Sequence, residues 1–184
     1  LVYGGGIRTV EDGIRVIQCG ADRLILDAVL HDNLSVVREL AVRLGSQAII
    51  ASIPMMVGAD GLEWLEYRDK TVGTISDELE ALIKNRMISE VLVIDWKHEG
   101  QAQGFDVRLV SDFALKYVDL IAFGGISTPD QMTELLHHPQ VSAVAVGNFL
   151  SYREHAIQKY RDALTAMPFR GSSYAKEVTL VPNG

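Results

Sequence analysis

An internal repeat limits the folds open to this chain more than any other feature of its sequence. The segment GGIRTVE at residues 5–11 recurs as GGISTPD at residues 124–130, so that Gly5 and Gly124 are 119 residues apart. At about 30 residues per strand–helix unit, this offset corresponds to four units. A four-unit repeat in a fold that closes with eight units indicates a half-barrel duplication, which favours a TIM-type (βα)8 barrel over an open doubly wound sheet.

Short apolar runs alternate with amphipathic stretches of about ten residues, a pattern typical of βαβ units and a parallel sheet. The predicted strands are residues 1–3, 23–27, 48–53, 90–95, 120–123 and 143–146. If the two repeated segments follow barrel strands three and seven, these six are strands three to eight. We therefore expect an α/β barrel truncated at its N-terminus, with two units of roughly 60 to 80 residues absent.

Helix starts are marked by capping residues, which are Thr9, Asn33, Ser76, Thr128 and Ser151. One long connection, residues 54–73, contains a Gly-Ala-Asp-Gly turn at residues 58–61 and predicts a β-hairpin inserted after the third visible strand. We expect a single domain over residues 1–184, with an extended tail over residues 168–184.

Composition excludes several classes of protein. With 17 basic against 24 acidic residues and a net charge of -7, the chain offers no positive face for nucleic acid. The longest apolar runs are strand-sized, far below the roughly 20 residues that span a bilayer. The single cysteine, Cys19, excludes an internal disulfide and a multi-cysteine zinc site. We expect a cytoplasmic, enzyme-like domain that uses no metal and no cofactor.

Glycines at the ends of predicted strands are the first candidate site. Gly6 in one repeat and Gly124 and Gly125 in the other lie between a strand and a helix, where glycine lets an anion approach backbone amides. The predicted phosphate-binding residues are Gly6, Gly100, Gly124, Gly125, Gly147 and Asn148. Two related sites would suit a ligand with a phosphate at each end. The alternative is that these glycines only form tight turns.

Carboxylates near strand ends are the second candidate, because the active sites of such barrels lie at the carboxyl ends of strands. Asp27, Asp95 and Glu99 qualify, and Glu99 is the candidate general acid or base. A solvated loop glutamate is the alternative for Glu99. The neighbouring His98 is expected to be an exposed loop residue rather than a catalytic one.

Several motifs in order and spacing resemble the cyclase subunit of imidazole glycerol phosphate synthase over residues 1–164. They are GGGIRT at 4–9, GADR at 20–23, GSQA at 45–48, the loop from Gly100 to GFD at 104–106, and GGI at 124–126. Tyr3 before the triple glycine is similar to a paralogous branch associated with glycosyl amidation in surface-polysaccharide clusters. The resemblance implies a barrel that receives ammonia from a glutaminase subunit docked on its N-terminal face and cyclises a substrate phosphorylated at both ends.

The chain departs from the pattern that the resemblance implies. The family's two catalytic aspartates end strands one and five, and Pro54 stands where the second is expected. Asp27 and Ala28 replace an Asn-Thr pair that holds one phosphate, and an aspartate repels a phosphate. Glu99 and Asn148 replace an aspartate and a serine.

Three interpretations follow from the resemblance. The first is a divergent cyclase-like subunit that works with a glutamine amidotransferase in surface-sugar amidation, on a phosphorylated or sugar-linked small molecule. The second is an authentic ammonia-dependent cyclase, a lyase of histidine biosynthesis, in which Glu99 does the acid–base work. The third is a noncatalytic scaffold that conducts ammonia. Pro54 favours the first or the third.

Overall fold

A computed structural model describes residues 1–150, 155–165 and 167. Its centre is a sheet of six parallel strands in the spatial order β1 (Val2–Gly4), β2 (Arg23–Leu26), β3 (Ile49–Val57), β6 (Glu90–Asp95), β7 (Asp119–Phe123) and β8 (Val141–Val144). All six predicted strands are present, and the predicted α/β, TIM-type parallel architecture is confirmed. β7 lies four strand positions from β1, as the four-unit repeat predicts.

Alternate residues of the strands face opposite sides of this sheet. The helices cover one side, where the fully buried residues are Leu24, Leu26, Val91, Val93, Leu120 and Ala122. Their neighbours on the other side, such as Ile25, Leu92 and Ile121, are half-buried. The core therefore lies between the sheet and its helices.

Four of the described helices begin directly after the capping residues that the sequence predicts. The described helices are α1 (Val10–Gln18), α2 (Ala28–Asp32), α3 (Leu34–Leu44), α4 (Asp77–Lys84), α5 (Arg108–Ser111), α6 (Pro129–Leu136) and α7 (Ala156–Ala163). Side chains of Thr9, Asn33, Ser76 and Thr128 accept hydrogen bonds from first-turn amides, and Thr9 forms a full capping box. The predicted start at Ser151 and the tail at 168–184 lie outside the described residues.

The long connection contains two further strands. β3 continues past the parallel sheet and pairs antiparallel with β4 (Leu62–Glu66), which pairs antiparallel with β5 (Thr71–Gly73). On the side of β3 opposite β6, pairing with β2 ends at Ala51 and pairing with β4 begins at Met55. Pro54 lies in this gap, where a residue without an N–H is tolerated.

No helix in the described part of the chain is long and apolar enough to cross a membrane.

Candidate functional site

The two repeated glycine pairs have closely similar φ angles at the carboxyl ends of β1 and β7. Gly5 and Gly6 have φ of 104° and 72°, and Gly124 and Gly125 have φ of 99° and 68°. Residues other than glycine rarely adopt these angles. The sequence repeat is therefore a conformational repeat, which turns the chain sharply from strand to helix twice.

The second glycine cluster brings together four of the six residues predicted to bind phosphate. A cavity there is lined by Glu99, Gly100, Gly124, Gly125 and Gly147, with the rings of Phe123 and Phe149. A 3₁₀ turn, Asn148–Leu150, begins directly after Gly147. The structure thus brings together predicted site residues from three loops, although phosphate binding stays a prediction.

The turn at Gly124 and Gly125 is also required by packing. A Cβ on Gly124 would lie 2.7 Å from the Asp95 carbonyl oxygen, and one on Gly125 would lie 2.8 Å from the Phe105 nitrogen. The Gly125 carbonyl accepts a hydrogen bond of 2.9 Å from the Gly104 amide. The loop after β6 therefore packs backbone against backbone on this turn. At Gly5 and Gly6, by contrast, a Cβ would meet nothing within 4 Å.

Asp95 organises the loop after β6, a role that the sequence did not indicate. Its carboxylate is 1% exposed and accepts hydrogen bonds from the backbone amides of His98, at 3.2 Å, and Asp106, at 2.8 Å. The His98 Nδ1 lies 2.9 Å from the same carboxylate. His98 is thus held by a buried partner, and the loop that carries Glu99 is fixed at both ends.

Glu99 itself is exposed at the rim of the second cavity. This position suits a group that meets a ligand from solvent, and its catalytic role stays a prediction. Among the described residues, no group of three or more His, Cys, Asp or Glu side chains is placed to hold a metal ion.

The first glycine cluster forms its own cavity, lined by Gly5, Gly6, Arg8, Asp27 and Ala28 with two isoleucines. Burial raises the pKa of Asp27, and the Glu66 charge adds to this, while His31 and Arg68 oppose it. Asp27 precedes α2 but makes no capping hydrogen bond with its side chain. Its carboxylate therefore faces the cavity without a helix amide to stabilise it.

The hairpin is anchored next to this cavity. The rings of His31 and Trp64 stack with centroids 3.9 Å apart. Arg68 donates to Glu66 at 2.7 Å and 2.9 Å and to Asp32 at 2.9 Å. These hydrogen bonds from Arg68 lower the pKa of Glu66 to about 2. These contacts hold the hairpin against α2, the helix that begins directly after Asp27.

Tyr67 directly follows β4 in the hairpin and is 45% exposed. Partial burial, and then the charges of Glu99 and Asp27, raise the pKa of Tyr67 to about 12. The phenol is therefore neutral near pH 7 and can donate a hydrogen bond.

Pro54 is buried, and its strand register aligns it with Ile94 of β6, which in turn aligns with Phe123 of β7. This row of the sheet is apolar, and Pro54 supplies neither a proton donor nor a side-chain acceptor. The position that the resemblance assigns to an acid therefore carries no acid–base group.

A polar cluster lies at the opposite, amino ends of the strands. Arg23 pairs with Glu90, donates to the Ser89 hydroxyl at 2.7 Å and donates to the Gln47 carbonyl at 2.9 Å. The Ser142 hydroxyl donates to Glu90 at 2.6 Å. This cluster joins β2, β6 and β8. In the sequence it was indicated only by the charged residues Arg23 and Glu90, which begin two otherwise apolar strands.

The fold and the two glycine turns define a barrel protein of the α/β class with candidate ligand sites at the carboxyl ends of its strands. A family model described as "Histidine biosynthesis protein" matches residues 1–156. The chain belongs to this family.

Curated relatives agree with the family. The chain is 25% identical over 164 residues to the imidazole glycerol phosphate synthase subunit HisF of Natranaerobius thermophilus, covering 88% of this chain and 65% of the relative. It is 27% identical to the subunits of the same name from Alkaliphilus metalliredigens (91% and 68% covered) and Staphylococcus saprophyticus (89% and 67% covered). The chain thus spans about two thirds of the length of these relatives.

Proposed function

We propose that the chain is a divergent, cyclase-like subunit that acts with a glutamine amidotransferase on a phosphorylated small molecule, in surface-sugar amidation. The similarity to cyclase subunits of imidazole glycerol phosphate synthase supports the cyclase-like class. A glutaminase subunit is the proposed ammonia source, and the cytoplasm is the proposed location.

The buried Pro54 is the observation that supports divergence from an authentic cyclase. A reaction that needs catalytic aspartates at two strand ends loses one of them when that strand end bears proline instead. Losing such a group typically costs about 10²- to 10⁴-fold in rate. Glu99 and the phosphate-binding glycines remain as the proposed site residues.

The proposal is tested by an ammonia-dependent cyclisation assay. The protein is given ammonium salt and the bisphosphorylated histidine precursor, and cyclised product is followed. We expect turnover below about one hundredth of the rate of an authentic cyclase assayed beside it. Pro54→Asp should raise that rate only in part, because Asp27 still repels one phosphate.

Two alternatives make different predictions in the same assay. An authentic cyclase would turn over near the reference rate and lose this activity in Glu99→Gln, which would show that Glu99 replaces the lost aspartate. A noncatalytic ammonia-conducting scaffold would give no product in any variant, yet would still stimulate its glutaminase partner. Either result would replace the divergent-enzyme proposal.

A further inference from the structure

The cavity at the second glycine turn has mostly apolar walls. Beside four glycines, its lining consists of Phe123, Ile126, Ala145, Phe149 and Glu99. Among these described residues Glu99 alone has a polar side chain, and Glu99 is exposed. A ligand that meets the backbone of the glycine turn therefore finds apolar side chains around the rest of its surface.

Phe123 reaches across this cavity from β7 to the loop after β8. It is the last residue of β7 and directly precedes Gly124. A Cβ added to Gly147 would lie 3.1 Å from Cε2 and 3.3 Å from Cζ of the Phe123 ring. The absence of a side chain at Gly147 thus gives the ring its place. Phe123 is only half-buried, so a ligand in the cavity can contact it.

The apolar surface continues from Phe123 across the carboxyl end of the sheet. Phe123 is in register with Ile94 of β6, and Ile94 is in register with Pro54 of β3. The three residues share one face of the sheet, because the preceding residues Val93 and Ala122 are buried against the helices on the other face. No member of this row has a hydrogen-bonding side chain. A ligand that extends along the row from the glycine turn therefore meets hydrocarbon.

Two kinds of ligand would respond differently to these walls. The hydroxyl groups of a sugar or polyol would give up hydrogen bonds to water and find no side-chain partner along the row. A planar aromatic ring would give up no such bonds. It would bury apolar surface and gain a ring–ring contact with Phe123. The walls therefore favour an aromatic ligand over a polyol of similar size.

We propose that Phe123 is a specificity-determining residue, which selects a phosphate ester whose body is an apolar, planar ring. This rests on the proposed function in taking the Gly124–Gly125 turn as the phosphate site. The phosphorylated small molecule then belongs to the aryl or heteroaryl phosphates rather than to the polyol phosphates.

Titrations of the purified protein with three phosphate monoesters, followed by NMR, test the proposal. Phenyl phosphate should bind at least about tenfold tighter than ribose 5-phosphate. It should also bind about threefold tighter than cyclohexyl phosphate, which is apolar but not planar. Phe123→Leu keeps an apolar side chain but removes the ring, so the second ratio should fall to near one. Phe123→Tyr keeps the ring and should preserve both ratios.

Tyr117→Leu is the matched control, because it also removes an aromatic ring, from an exposed position two residues before β7, and should change neither ratio. Unchanged affinity for inorganic phosphate in each variant shows that the glycine turn is intact. The wild-type ratios decide the proposal even where a variant disturbs that turn.

Two results would overturn the inference and leave the phosphate site in place. One is ribose 5-phosphate binding to the wild type as tightly as phenyl phosphate, and the other is a preference for phenyl over cyclohexyl phosphate that persists in Phe123→Leu. If inorganic phosphate and all three esters fail to bind, the proposed phosphate site falls and the inference falls with it.

Discussion

Gly6 and Gly125 occupy equivalent positions in the two copies of the repeated turn, but their surroundings differ. Gly125 needs its left-handed backbone and also has no room for a side chain against the backbone of the loop after β6. Gly6 has the same backbone angle with open space around it. Solvent therefore reaches Gly6 freely, whereas Gly125 is buried by the loop after β6.

This difference predicts that replacing glycine with alanine lowers the free energy of unfolding by different amounts at the two positions. Gly6→Ala should lower the free energy of unfolding by about 1 kcal/mol, the cost of placing a Cβ in the left-handed region. Gly125→Ala should lower it by more than about 3 kcal/mol, since the backbone that it meets cannot move aside as a flexible side chain can. Urea unfolding of the two variants measures both values. Equal losses would show that the packing around Gly125 is looser than the structure has it.

At the scale of elements, ion pairs hold the hairpin of β4 and β5 to α2 beside the buried Trp64. Glu66 is only 13% exposed and contacts both Arg68 and, at 3.4 Å, the Nδ1 of His31. Because its pKa is lowered from 4.5 to about 2, Glu66 stabilises the folded state above pH 4.5. That contribution is lost as the pH falls through the interval between these values.

Replacing Glu66 with Gln should remove this part of the acid sensitivity. Between pH 5 and pH 2 the wild type should lose on the order of 1 kcal/mol more stability than Glu66→Gln, a value reduced by solvent screening at the half-exposed Arg68. Unfolding curves at several pH values test this, with Glu63→Gln on the same strand as the control. Parallel pH profiles for wild type and Glu66→Gln would rule out the ion pair as the source.

The sequence predicted elements well where local chemistry defines them. The apolar runs located all six parallel strands, and Thr9, Asn33 and Thr128 marked true helix starts. The sequence did not predict the two short helices. α2 has five residues and α5 has four, and neither has a side-chain cap. The contacts of Asp95 with His98 and of Arg23 with Glu90 could not be predicted from the sequence either, because they depend on how loops and strand ends meet in three dimensions.

At the scale of the whole molecule, two glycine turns with similar φ angles lie in two different electrostatic environments. In a crystal soaked with phosphate or sulfate, anion density should be stronger at the amides of Gly125 and Asn148 than at Gly6. The reason is the Asp27 charge, which opposes an anion at the first cavity. Difference maps from soaked and unsoaked crystals give the ranking, and stronger density at Gly6 would reverse it.

The gap in strand pairing around Pro54 also bears on which residues this strand end can hold. Where β2 has ended and β4 has not begun, one side of β3 has no neighbouring strand whose hydrogen bonds an imino acid would break. On its other side β3 still pairs with β6, and Pro54 is buried in register with Ile94. A carboxylate in that apolar row would lose its hydration without gaining a charged partner. The strand end therefore accommodates a pyrrolidine ring more readily than an acid.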